Sequence, residues 1–161
     1  MMINVPKTEQ KRVTFKVYSQ IKDIDKTLKT LRCNNFQNLE ISILGILDKR
    51  FALETEKGHK IPYMENLWID LTGARPDIDF LYNPEIGNIF IIGFLVPTFL
   101  HEVEGKSLGA ISIGPYDIFR GLGISLYQTN RIIKALAEGS YLLIVRGNLY
   151  ESNILEDIIN E

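Results

Sequence analysis

The chain has 161 residues, 45% of them hydrophobic and 24% charged, with 18 basic against 20 acidic side chains and a formal net charge of -2. That is room for one well-cored domain, taken as 1–161, and the composition excludes a disordered or fibrous protein. The near balance of charge provides no overall field to draw the chain toward nucleic acid or anionic lipid, and the single cysteine, Cys33, excludes an intrachain disulfide and a thiolate cluster for zinc.

The opening MMINVPKTEQKRVTFKV lacks the apolar stretch of a secretory signal and meets charge at Lys7, Lys11 and Arg12, so a cytoplasmic protein is expected. RVTFKVY, residues 12–18, alternates apolar and polar β-formers, the pattern of a half-buried strand. Ser19 offers an N-cap, and Ile21, Ile24, Leu28 and Leu31 recur at helical steps to about Arg32. Cys33, at the end of that helix, is expected to be a small buried hydrophobe. Asn34 and Asn35 suit the left-handed conformation that closes a helix, and LEISILGIL, residues 39–47, resumes the β pattern.

Residues 48–87 lose periodicity and read as a surface insertion, interrupted by about two helical turns at MENLWIDL, residues 64–71. NIFIIGF, residues 88–94, is a buried strand with Ile89, Ile91 and Gly93 on one face and Phe90, Ile92 and Phe94 on the other. Both faces are apolar, so cover is expected from helices on one side and from the insertion or a second subunit on the other. Glycine-spaced pieces follow to Gly123. Ser125 and Gln128 then have the spacing of a capping box, Gly139 closes the helix they open, YLLIVRG is a strand, and Asn148 with Glu151 caps a final helix within 148–161. The order β-α-β, insertion, β-α-β with an extra C-terminal helix points to a ferredoxin-like α+β sandwich with an antiparallel sheet and helices on one face.

The apolar run Ile89–Leu100 is 12 residues long, short of the roughly 20 that a spanning helix needs, so no transmembrane segment is expected. Gly105-Lys106-Ser107 imitates the end of a P-loop, but Leu100 stands where that motif needs its first glycine. No nucleotide or other cofactor is expected.

The C-terminal GLGISLYQTNRIIKALAEGSYLLIVRGN, the N-terminal FKVYSQIKDIDKTLKTLRCNNFQNLEISILG and the central NPEIGNIFIIGFLVPTF together resemble, in that order, the bacterial general-stress protein family with a heat-induced stress protein domain. The resemblance covers about two-thirds of the chain and implies a stress-linked role with no catalytic residue transferred. Many members of that family carry a Gly/Ala-rich hairpin able to associate with membrane; here Glu104, Lys106, Asp117 and Arg120 stand in that region and weigh against peripheral membrane contact.

Four side chains within ten positions, Asp70, Arg75, Asp77 and Asp79, form the best polar cluster, since an acid/base pair needs carboxylates held in unequal environments. Each also has a plain reading as a turn residue or surface ion-pair partner. His101, Glu102 and Glu104 make no metal set, because adjacent side chains diverge, and His59 is the only other imidazole. No G-x-S-x-G nucleophile motif occurs, and NIFIIGF lacks the aromatics of an RNA-binding strand. The expectation is a non-enzymatic interaction module, a homo-oligomer or one with a protein partner, using Phe94, Leu95, Val96 and Phe99 as its surface. A small-molecule-binding regulatory domain is the alternative, and an enzyme working through the 70–79 loop is the third reading.

Overall fold

The computed structural model describes residues 11–47 and 62–160. Five strands form one antiparallel sheet: β1 (Lys11–Tyr18), β2 (Glu40–Ile46), β3 (Ile78–Asn83), β4 (Gly87–Gly93) and β7 (Tyr141–Asn148), in the order β1-β7-β2-β4-β3. A separate ribbon pairs β5 (Glu102–Val103) with β6 (Lys106–Ser107). β7 lies antiparallel to β1 on one side and β2 on the other. β1 and β2 therefore run parallel with the last strand between them, a split β-α-β unit.

The helices are α1 (Ile21–Cys33), α2 (Pro62–Thr72), α3 (Val96–Leu100), α4 (Gly114–Gly121), α5 (Leu126–Ala137) and α6 (Leu149–Ile159). The α+β class, the antiparallel sheet and the C-terminal helix are those the sequence indicates. Helices cover both faces, however, and all belong to this chain. On one face Ile24, Leu28, Trp68, Leu71 and Leu155 of α1, α2 and α6 pack over Ile41, Ile43, Phe90 and Leu143. On the other, Phe99, Phe119, Ile132 and Leu136 of α3, α4 and α5 pack over Leu44, Ile91, Leu142 and Ile144. Each such buried side chain contributes about 1.5–3 kcal/mol, so the double apolar character of β4 and β7 is accounted for by two cores rather than by a subunit interface.

Local chemistry fixes the helix ends. The Ser125 side chain accepts a hydrogen bond from the Gln128 amide at 3.2 Å, and Asn148 accepts one from the Glu151 amide at 2.8 Å, as the capping patterns predict. α1 differs: its N-cap is Gln20, in extended conformation and without a side-chain cap bond, rather than Ser19. Asn35 closes α1 with φ 62° and Gly139 closes α5 with φ 98°. Cys33 is exposed, because the helical stripe that enters the core is Ile24, Leu28 and Leu31.

Three further differences have local causes. The stretch from Pro62 to Gly87, read as surface insertion, instead supplies α2 with buried Leu67, Trp68 and Leu71, and edge strand β3; residues 48–61 of that insertion lie outside the described residues, as does His59. Gly93 adopts φ 100°, and this left-handed turn ends β4's alternation, so Phe94 falls on the α3/α5 face instead of beside Phe90 and Ile92. Glu104 and Gly105, with φ 52° and 83°, form the two-residue turn between β5 and β6. Two positive φ values are what a tight hairpin demands, so the P-loop look-alike is a hairpin. Among the described residues no helix is long and apolar enough to cross a membrane.

Candidate functional site

Backbone pairing shows which groups the sheet leaves open. The bonds from Leu47 N to Asn88 O and from Phe94 N to Ile41 O place the odd residues of β2 against β4, and hence its even residues against β7. Alternation carried across β7 then places the even residues of β1 against β7. The amides and carbonyls of Lys11, Val13, Phe15 and Val17 point away from the sheet, along an edge bounded by no further strand of the described sheet.

A groove of about 600 Å³ runs along this edge. Its lining comes from both sides of β1, so the groove straddles the strand's outer edge. On one side Val13 and Phe15 stand with Leu122 and Ile124, between α4 and α5. On the other Arg12 and Thr14 stand with Ser152 and Glu156 of α6 and its C-cap Asn160. One wall is largely apolar and the other polar. Side-chain bonds to the backbone hold the walls: the Ser125 cap fixes the first turn of α5, and the Ser152 hydroxyl, donating to the Leu149 carbonyl at 2.8 Å, is turned back into α6.

One end of the groove is electrostatically fixed. Lys11 of β1 and Arg146 of β7 both donate to the Glu40 carboxylate on β2, with Arg146 Nε at 3.2 Å. Burial works to raise the Glu40 carboxyl, but the hydrogen bonds from Lys11 and Arg146 outweigh it and hold its pKa below the ordinary carboxylate value. The Arg146 guanidinium also lies 4.6 Å above the Phe94 ring, a cation–π contact.

The residues singled out from sequence are dispersed. Asp70 pairs with Arg32 of α1 at 3.3 Å and Arg75 with Glu65 of α2 at 3.4 Å. The Asp77 carbonyl accepts from the Gly93 amide at 2.8 Å, and Asp79 Oδ1 accepts from the Phe80 amide at 2.7 Å. The side chains of Asp70, Arg75 and Asp79 thus have separate partners, Asp77 is tied through its backbone carbonyl, and none of these bonds joins two of the four. Leu95, Val96 and Phe99 are buried in the α3/α5 core, and Phe94 is half-buried under Arg146, because the Gly93 turn drives the segment back onto the sheet. Three of the four residues expected to form a surface are interior.

Val13, Thr14 and Phe15 were legible as a strand but not as a site, because an edge position depends on strand order. The usable signal was the pair Lys11 and Lys16, charges of the kind that mark edges. No protein-family model, no curated protein and no solved structure matches this chain.

Proposed function

We propose that this protein is a non-enzymatic interaction module that receives an extended polypeptide segment as an added strand along β1; the stress link rests on sequence resemblance alone. The observation that supports this reading is the groove astride the β1 edge, with open backbone groups at Val13 and Phe15 and walls of opposite polarity. An added strand takes its affinity from the main chain and its specificity from alternate side-chain pockets. Ligand residues opposite Val13 and Phe15 meet the apolar wall, and their neighbours meet Arg12, Glu156 and Asn160. The preferred partner is a strand of alternating apolar and polar residues. The volume also suits a small molecule, which would favour the regulatory reading, but a groove that wraps a strand edge fits a chain better than an enclosed ligand.

Selection from a random peptide library, followed by amide chemical-shift mapping, tests the proposal. Alternating sequences should be enriched, should shift the amides of Val13, Phe15 and Val17, and should lose binding with Phe15→Glu. Enrichment without alternation, or shifts confined to other strands, would overturn it. Thermal stabilisation by organic acids or nucleotides that leaves the β1 amides unmoved would support the regulatory domain instead.

A further inference from the structure

The opposite edge of the sheet has a different geometry. The Gly93 N to Asp77 O bond places the odd residues of β3 against β4, so the backbone groups of Ile78, Phe80 and Tyr82 point outward. The same three side chains are 44%, 45% and 60% exposed, a large apolar stripe, while the short helical turn at Leu108–Ala110 packs against Leu81 on the strand's other face. Pro76 and Pro84 bracket the row symmetrically, each four positions from Phe80, and each lacks an amide donor.

We infer that β3 is a self-association edge, on which a second copy of this chain pairs antiparallel about a two-fold axis at Phe80. The register follows from chemistry. Hydrogen bonding requires outward residues to face outward residues, which leaves three main choices. Centring on Phe80 pairs Ile78 with the second copy's Tyr82, Phe80 with its counterpart, and Asp79 with Leu81, so every outward amide has a partner. Sliding one way sets Asp79 directly opposite Asp79, a like-charge pair that destabilises a ladder. Sliding the other way sets Pro84 opposite Ile78 and forfeits a donor. Only the first register joins all three apolar residues and opposes no like charges. The result is a continuous ten-strand sheet, two copies of five. Asp79 works against it, since its carboxylate already holds the Phe80 amide and must release it. The contact is small, so the dimer is a weak one that populates at tens to hundreds of micromolar.

Sedimentation of the unmodified protein across that range, together with a cysteine register scan in a Cys33→Ser background, tests the inference. A concentration-dependent dimer is expected, tightened severalfold by Asp79→Ala and abolished by Phe80→Lys. Facing residues of a hydrogen-bonded pair lie close enough for a disulfide. Phe80→Cys should therefore oxidise to a covalent dimer, and a mixture of Ile78→Cys and Tyr82→Cys should cross-link faster than either alone. A protein monomeric at every concentration overturns the inference, and so does self-linking of Asp79→Cys as fast as that of Phe80→Cys. Neither outcome touches β1, so the strand-addition reading stands or falls separately.

Discussion

The two edges of one sheet expose similar backbone and differ in what stands beside it. At β1, α5 and α6 rise on either side, Val13 and Phe15 are half-buried, and the open groups lie at the bottom of a groove. At β3, Ile78, Phe80 and Tyr82 are exposed. An unpaired strand edge attracts other chains, and its surroundings decide which. A groove admits a single extended segment and excludes a folded domain by its walls, whereas a bare edge admits another whole sheet. On the proposed reading, the helices that bury the cores also sort the partners.

The largest effect should come from destroying what both edges share. Ile91 in β4 is fully buried, and Ile91→Asp places an unpaired carboxylate in the core at a cost of several kcal/mol against a total of roughly 5–15. Circular dichroism should show an unfolded chain, with peptide binding and dimer lost together. Gly93→Ala comes next. A Cβ there would lie 1.9 Å from the Ile41 carbonyl oxygen on a backbone at φ 100°, a strain of about 2 kcal/mol or more. Urea titration should show that loss. Because Gly93 joins β4 to the segment carrying Phe94, the damage should weaken the β1 groove as well as β3. A variant as stable as the unmodified protein would show that the turn is not held as described.

Elements with strong periodicity were legible in the sequence: β1, α1, β2, β4, α5, β7 and α6 each carry a local apolar pattern and, in two helices, a capping side chain. β3 was not. Its IDFLYN leaves Ile78, Phe80 and Tyr82 exposed at the rim of the face that carries Phe90 and Ile92 and sets Asp79 on the other face, so its polarity conflicts with a buried-strand reading and its aspartates looked like chemistry. The groove was invisible for a different reason. It requires β7 to lie between β1 and β2, a pairing fixed by contacts such as that between Arg146 and Glu40, 106 residues apart. No window of sequence contains both partners.

A narrower prediction separates the edges. Ser125→Ala removes the N-cap bond of α5, at about 1 kcal/mol, which lowers the melting temperature by about 2–4 °C in a domain of this size. The first turn of α5 walls the β1 groove and is remote in the sheet from β3. Selected peptides should bind more weakly while the dimerisation constant stays unchanged. Equal weakening of both would mean that the groove wall does not act locally.

The smallest effect concerns the charge cluster that ties the start of β1 to the sheet. The Glu40 carboxyl is held below its ordinary pKa, so the folded state binds a proton less readily than the unfolded chain. The stability it contributes is complete above the unfolded pKa and disappears as pH falls through the folded one. Glu40→Gln should therefore be less stable than the unmodified protein at neutral pH, and the gap should close below the normal carboxylate range. Lys11 is half-exposed, so solvent screens the cluster and limits the loss to under about 1 kcal/mol. Hydrogen exchange gives the sharper measurement: without its anchor at Lys11 the beginning of β1 should exchange faster, while β3 amides keep their rates. If the gap between variant and parent were the same at pH 3 as at pH 7, ionisation of Glu40 would not be what secures this edge.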